Sequence, residues 1–248
     1  MGDHIIQQQA FYDYARSKGE MPVGATDHEA FLVVFSEPGP AVELKEFNEG
    51  YDEDHVPLRM SRFPEFETVA RYEAIDGHQP GFAAIYTVTS LSSLCDEPRY
   101  KSLRANRSER EADILTRIST VDRRTCRSIQ LERRPSAVKN HSFHPYILTV
   151  ELTRPALPEL LTELRSFDGW IKTEVGEIVA SSVIGHLQPP STDPRRTPQY
   201  ILISEFMNQD YERSRQLTEL SKVPEQNQTF IRKWKLYRGW QNSSMKSS

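Results

Sequence analysis

The amino-acid sequence predicts an α+β fold in which one β-α-β-β-α-β pattern occurs twice. Three observations predict it. Short runs of apolar and β-branched residues alternate with stretches that have apolar residues at helical spacing. The same order of elements recurs after a stretch without periodicity at 133–145. The two halves align at a spacing of about 114 residues, which pairs Asp54 with Asp168 and Tyr72 with His186 and indicates duplication of a whole fold unit.

The elements of the first half follow from local patterns. AFLVVF (30–35) is typical of a strand buried on both faces. AVELKEFNEGYDEDH (41–55) is helical, and Pro57 predicts that this helix ends at residue 56, because the residue before a proline disfavours helix. Its apolar stripe consists of Leu44, Phe47, Tyr51, His55 and Leu58. The remaining strands are predicted at 66–75, 82–90 and 124–132, and the second helix within 98–118.

The second half repeats this order. Strands are predicted at 146–152, 177–187, 199–206 and 233–240, and helices at 157–167 and 210–220. This β-α-β-β-α-β order is the ferredoxin-like motif. We expect an N-terminal extension at 1–27, a first repeat at 28–132, a linker at 133–145, a second, degenerate repeat at 146–241 and a tail at 242–248.

The two sheets have a predictable relationship. A ferredoxin-like sheet carries helices on one face only, so its other apolar face must be buried. We therefore expect the two sheets to face each other and to close one barrel within the chain, with an apolar cavity between them.

Composition limits the function classes. The 248 residues carry a net charge of −4, with basic residues spread along the chain, which disfavours a nucleic-acid or membrane surface. The N-terminus lacks the pattern of a secretory signal, and the two cysteines have no CxxC spacing. We expect a cytoplasmic protein whose partner is a small-molecule substrate, either a monomer with an internal pseudo-two-fold or a homodimer through its outer surfaces.

The segment EFNEGYDEDHVPL, followed by PEFETVARY, resembles the EthD-like branch of the dimeric α/β-barrel superfamily. The branch has an aromatic residue and a His-x-Pro on the first helix, then a Pro-x-Phe before a strand ending in Arg-Tyr. The matching residues are Tyr51, His55, Pro57, Pro64, Phe66, Arg71 and Tyr72. The resemblance covers 28–132 well, whereas 144–240 match only in element order, with Gly169 where His55 would repeat. It implies a pseudo-dimeric α/β barrel formed by two fused repeats. Superfamily activities range from cofactor-free monooxygenases, cyclases, decarboxylases and isomerases to haem enzymes and stress-responsive proteins.

His55 is the principal candidate for catalysis. It belongs to the apolar stripe and to the expected last turn of its helix, where the dipole and the acidic residues 52–54 favour the imidazolium. Burial opposes this, so we expect a pKa poised near neutrality, as general acid–base chemistry requires. The alternative is a core histidine that packs and hydrogen-bonds a carbonyl. Tyr51 and Tyr72 are the candidate donors to a substrate oxyanion.

Four further residues are candidates for substrate binding: Phe35, Ala84, Tyr86 and His186. The alternative for each aromatic residue is that it packs in the core without a role in binding. The alternative for His186 is that it is a solvent-exposed histidine in a hairpin. No metal-ligand spacing and no nucleotide-binding glycine motif occurs, so we expect no metal and no cofactor.

These features together predict a cofactor-independent enzyme of secondary metabolism, a lyase or isomerase. It would carry out cyclisation, isomerisation or decarboxylation of an aromatic or polyketide-like molecule by acid–base chemistry. The alternatives are a cofactor-free monooxygenase of a phenol or anthrone, and a non-catalytic ligand-binding or stress-response barrel.

Overall fold

A computed structural model describes residues 29–95, 98, 102–103, 105–135, 143–153, 158–185, 198–221 and 230–242. The expected N-terminal extension, most of the expected linker and tail, and His186 lie outside the described residues.

Eight strands form a closed antiparallel barrel, which makes the chain a mixed α/β fold. The strands are β1 (Ala30–Glu37), β2 (Phe66–Ala74), β3 (Phe82–Val88), β4 (Thr120–Arg133), β5 (Tyr146–Leu152), β6 (Trp170–Gly185), β7 (Tyr200–Phe206) and β8 (Phe230–Gln241). Their order around the barrel is β1-β3-β2-β8-β5-β7-β6-β4. β4 and β6 begin earlier than the sequence predicts, because strand pairing between them continues through polar residues.

The helices described lie on the outside of this barrel. They are α1 (Leu44–Glu49), α2 (Val56–Arg62), α3 (Leu91–Cys95), α4 (Glu109–Arg117), α5 (Pro158–Arg165) and α6 (Arg215–Ser221), with a π-helical segment at Gly50–His55 and a 3-10 turn at Asp210–Arg213. In the described part of the chain, none of them has the length and apolar character that crossing a bilayer requires.

The two halves pair along their strand edges, and these pairings close the barrel. β2 pairs with β8, and β4 pairs with β6 along a register from Thr120↔Gly185 to Arg133↔Lys172. The predicted closure of one barrel is thus confirmed, whereas the apolar cavity expected between the two sheets is wrong for the described residues. An eight-stranded barrel has an interior only wide enough for side chains, and here one apolar cluster with members from all eight strands occupies it.

Successive side chains of β1 point to opposite faces of the sheet and pack in two different clusters. Phe31, Val33 and Phe35 point into the barrel, whereas Leu32 and Val34 belong to a second cluster under the helices. Both faces of this strand are buried, as its continuous apolar run predicts. The helix-covered outer face is the one that forms the candidate site.

The first helical region does not end at Pro57. α1, the π-helical segment and α2 follow one another without a break from Leu44 to Arg62. The N–H of Val56 bonds to the carbonyl of Tyr51, five residues back, and this wider turn accommodates a proline that cannot donate a hydrogen bond. Leu44, expected on the buried stripe, is 53% exposed.

Candidate active site

A pocket of about 120 Å³ lies between the outer face of the barrel and the helices α1, α2 and α4. Leu32 and Val34 of β1 form part of its apolar wall, and Ile114 of α4 contributes from the helical side. An engineered apolar cavity of about 150 Å³ binds benzene. The pocket therefore has room for a group about the size of one aromatic ring.

The π-helical segment directs two side chains into this pocket. Tyr51 and His55 lie one above the other, with ring centroids 4.5 Å apart. Gly50, the first residue of the segment, allows α4 to approach closely, because a Cβ at this position would lie 2.6 Å from Cδ1 of Ile114. Such segments are rare in proteins and are frequent at functional sites.

Arg71 attaches the same segment to the sheet. Arg71 as a whole is 1% exposed. Its guanidinium carbon lies 4.3 Å from the centre of the Tyr51 ring, and Nη1 donates a hydrogen bond to Asp52 at 2.6 Å. The cation over the aromatic face and the ion pair together fix the orientation of Tyr51.

A chain of hydrogen bonds links four side chains at the pocket wall. Tyr51 Oη lies 3.2 Å from Tyr86 Oη, and Tyr86 Oη lies 3.1 Å from Nε2 of His55. On its other side, Nδ1 of His55 lies 2.9 Å from Oε1 of Glu111. An ionised carboxylate only accepts, so Nδ1 of His55 carries the proton and Nε2 accepts from the Tyr86 hydroxyl. The Tyr51 hydroxyl then donates to Tyr86.

The electrostatics keep His55 neutral and Glu111 ionised. Burial, followed by the positive charge of Arg59, lowers the pKa of His55 from 6.5 to about 4. Burial acts to raise the pKa of Glu111, but the hydrogen bond from His55 and the charge of Arg59 outweigh it and hold that pKa well below its usual value. Arg59 donates to Glu111 at 2.8 and 3.3 Å, and both side chains are about 6% exposed.

The expected pKa near neutrality is therefore wrong for His55. The helix continues past it, so no helix terminus lies beside the imidazole. The dominant charged neighbours of its ring are Arg59 and Glu111, not the acidic residues 52–54. A neutral imidazole whose Nε2 accepts from the Tyr86 hydroxyl can take up a proton through that hydroxyl, which lines the pocket, and the carboxylate behind it stabilises the imidazolium that results.

The other predicted residues divide between two environments. Tyr86 lines the pocket, and Ala84 lies on the same face of β3 in the cluster beneath the helices. Tyr72 and Phe35 point into the barrel, and Phe35 stacks on Trp234 with ring centroids 5.5 Å apart. Burial, followed by the charge of Glu205, raises the pKa of the Tyr72 hydroxyl well above its usual value. Neither residue contacts the pocket.

Four charged residues of the pocket were not identified from the sequence: Arg59, Arg107, Glu111 and Arg123. Ser108-x-x-Glu111 has the spacing of a capping box, and Ser108 does accept from the Glu111 N–H at 3.0 Å. The carboxylate, however, binds His55 and Arg59. The 56 residues between His55 and Glu111 leave no local pattern that links them.

In the described residues, no group of three or more His, Cys, Asp or Glu side chains has the arrangement needed to hold a metal ion. The polar groups at the pocket wall are a histidine, two tyrosines, serines, one glutamate and arginines. This set is suited to proton transfer and to hydrogen bonding of an oxygen anion.

Comparison with known proteins identifies the type of fold. No protein-family model and no curated protein matches the sequence. An anthrone oxidase-like protein of known structure superposes with a TM-score of 0.52 at 12% identity, over 88% of this chain and 95% of that chain. A proposed monooxygenase from Fusobacterium nucleatum gives 0.49 at 8% identity over 88% and 96%. Another from Lactobacillus acidophilus gives 0.48 at 7% identity over 87% and 97%. The first likeness shows a shared fold, a closed eight-stranded barrel with outer helices that is similar to dimeric α/β-barrel proteins.

Proposed function

We propose that this protein is a cofactor-independent enzyme that moves protons on a small aromatic or polyketide-like substrate. The observation that carries the proposal is the Tyr51–Tyr86–His55–Glu111 chain at the wall of an apolar pocket. A base, its orienting carboxylate and hydroxyl donors within hydrogen-bonding reach of one another are the components of general acid–base catalysis.

In the proposed reaction, His55 is the proton acceptor. A substrate C–H or O–H in the pocket gives its proton to Nε2 of His55, directly or through the Tyr86 hydroxyl. Glu111 stabilises the imidazolium, and the Tyr51 hydroxyl, at the end of the chain, turns to donate to the enolate or phenolate oxygen. His55 then returns the proton to another atom of the substrate. Cyclisation and isomerisation both follow this course. In decarboxylation the substrate carboxylic acid gives its proton to His55, the C–C bond breaks with release of CO₂, and His55 returns the proton to the carbanion.

In this scheme Tyr51 is the oxyanion donor, Tyr86 relays the proton, and Tyr72, the other expected donor, has no role because it points into the barrel. A base, a hydroxyl that can relay a proton and an oxyanion donor suit substrates that give an enolate or a phenolate, which is why we propose an aromatic or polyketide-like substrate.

We further propose that the barrel consists of two fused ferredoxin-like repeats of the EthD-like type. Support comes from the strand order, because β4-β1-β3-β2 and β8-β5-β7-β6 are the same arrangement of four strands. The first half contains the His-x-Pro segment and most residues of the pocket wall, whereas the second half has Gly169 at the position equivalent to His55. The fused halves would make one working site per chain.

Proton exchange tests the proposal without the natural substrate. We expect the protein to accelerate deuterium incorporation into phenylacetone, a ketone with a single ring, in D₂O, measured by NMR. His55→Gln should lower the rate by about 100-fold or more, as for loss of a general base. His144→Gln is the matched control, since His144 also binds a carboxylate through Nδ1, at Glu205, away from the pocket. Equal rates for wild type and His55→Gln, with both folded, would contradict the proposal.

Cofactor-free oxygenation is the second candidate. It is favoured by the fold shared with a protein described as anthrone oxidase-like and uses the same first step, since a deprotonated anthrone reduces O₂. One oxygen atom enters the quinone product and the other leaves as water. An oxygen electrode separates the two functions: oxygen uptake that depends on His55 supports oxygenation, and proton exchange without uptake supports the lyase or isomerase. Binding without either reaction would indicate a ligand-binding barrel.

A further inference from the structure

Asp52, in the π-helical segment of the site, is held by both halves of the chain. Its Oδ1 accepts a hydrogen bond from Arg71 on β2 at 2.6 Å. Its Oδ2 accepts from the hydroxyl of Tyr237 at 3.2 Å and from Nη1 of Arg238 at 3.1 Å, both on β8. The side chain of Asp52 is only 8% exposed, although Tyr237 and Arg238 themselves are exposed. A strand of the second half therefore contacts the segment that carries the proton-transfer residues.

A β-bulge in β8 makes this contact possible. Arg71 of β2 pairs with Arg238, and the next residue of β2 pairs with Leu236. Tyr237 is therefore an extra residue in the pairing with β2. In a regular strand, successive side chains point to opposite faces, but here Tyr237 and Arg238 both reach the same oxygen of Asp52. Bulges redirect side chains in this way and are frequent next to active sites.

The position of Asp52 bears on Tyr51 through Arg71. The guanidinium carbon of Arg71 lies 4.3 Å from the centre of the Tyr51 ring and 4.9 Å from the centre of the Tyr237 ring. Nη2 of Arg71 also donates to Asn48 on α1 at 2.8 Å. A buried guanidinium stays with its carboxylate, so the position of Asp52 also determines where the cation lies over the Tyr51 ring.

We propose that Asp52 is a positioning residue for Tyr51, and that the second half completes the site by holding Asp52 through Tyr237 and Arg238. With Asp52 fixed, the Tyr51 ring keeps the orientation in which its hydroxyl reaches Tyr86. This inference rests on the proposed function for the role of Tyr51 as oxyanion donor. It gives the second half a part in the site of the first.

Deuterium exchange of phenylacetone tests the positioning role. The double variant Tyr237→Phe/Arg238→Gln removes both contacts from β8 and keeps an aromatic ring beside Arg71. It should lower kcat by about tenfold and leave KM nearly unchanged, because a misplaced donor weakens transition-state contacts. If the loss passes through Tyr51, the same two changes should have no further effect in a Tyr51→Phe background. Lys235→Gln is the control, because Lys235 is exposed on the same strand.

Two kinetic results would overturn the proposal. Equal losses in the wild-type and Tyr51→Phe backgrounds would show that the contacts from β8 act by another route than Tyr51. No loss in the wild-type background, or an equal loss in Lys235→Gln, would show that these contacts do not position the donor.

Amide hydrogen exchange, followed by NMR, tests the contact without substrate. In the double variant the backbone N–H groups of residues 50–55 should exchange about tenfold faster than in the wild type, whereas those of α5 in the second half should keep their rates. Unchanged exchange at 50–55 would show that β8 does not hold the segment, and would overturn the proposal. Equally faster exchange in α5 would indicate global destabilisation and would overturn it too.

The outcome is separable from that of the proposed function. A wild-type protein that does not exchange deuterium into phenylacetone contradicts the proposed function, and amide exchange still decides whether β8 holds the segment. Conversely, His55-dependent exchange that is unaffected by the two changes in β8 retains the acid–base function and overturns the positioning role of Asp52.

Discussion

Replacing His55 by glutamine should change how the stability of the protein depends on pH. In the unfolded chain the imidazole takes up a proton near pH 6.5, whereas in the folded protein its pKa is about 4. Between these values the unfolded state binds one more proton than the folded state, so acidification favours unfolding. The contribution of the neutral imidazole to the free energy of unfolding is therefore fully present above pH 6.5 and is lost as the pH falls towards 4.

The pKa shift of His55 gives the size of the expected change in the free energy of unfolding. Each pH unit below 6.5 changes the free energy of unfolding by about 1.4 kcal/mol. Lowering the pH from about 7 to about 5 should therefore cost the wild type about 2 kcal/mol through this residue. Asp122 acts in the opposite sense, because burial raises its pKa from 3.8 to about 6 and its folded form takes up the proton first. Only the difference between wild type and His55→Gln isolates the histidine.

Urea unfolding followed by tryptophan fluorescence provides the assay, since Trp234 lies in the barrel interior. Tyr86→Phe is the control, because it removes the hydroxyl partner of Nε2 and keeps the imidazole. The wild type and Tyr86→Phe should lose about 2 kcal/mol more than His55→Gln between the two pH values. Parallel pH profiles for all three proteins would refute a buried, neutral His55.

Three further changes test the site and the barrel. Glu111→Gln should lower the free energy of unfolding by about 3 kcal/mol in urea, because it leaves a buried guanidinium without its carboxylate; an unchanged midpoint would contradict this. Tyr86→Phe should slow deuterium exchange by about tenfold or more, whereas Tyr211→Phe, outside the pocket, should leave the rate unchanged; equal effects would argue against the relay. Gly176→Ala should destabilise the protein by about 2 kcal/mol, since its Cβ would lie 2.4 Å from Cζ of Phe31, and an unaltered melting temperature would disprove this close packing.

Most strands and helices in the described chain could be predicted because their signals are local. The AFLVVF run became β1 with both faces buried, and alternation located β2 and β3 within a residue or two. The ends of strands and helices were predicted less accurately where contacts with other parts of the chain determine them. β4 begins at Thr120 rather than 124 because β1 and β6 both pair with its polar first residues. The first helical region continues past Pro57 because a π-helical turn accommodates the proline.

These boundary errors explain why two of the pocket residues, Arg59 and Arg123, were missed. Arg59 follows the expected helix end, and Arg123 precedes the expected strand start, so neither was assigned to an element facing a pocket. His55, Tyr51 and Tyr86 were found because each lies on an apolar face of a correctly predicted element. Tyr72 and Phe35 also lie on apolar faces, and no local signal indicates that theirs is the barrel interior.

The sequence by itself determined the alternation of strands and helices, the buried character of their faces and the inward direction of His55, because each depends on residues a few positions apart. Only the tertiary structure decided that the two halves join edge to edge, that side chains fill the barrel, and that the pocket lies beneath the helices. It also brought Glu111 and Arg59 to His55, and so decided the protonation of the imidazole. His55 and Glu111 are 56 positions apart in the sequence but in contact in the folded protein. A local sequence pattern cannot predict an electrostatic interaction between residues so far apart in the chain.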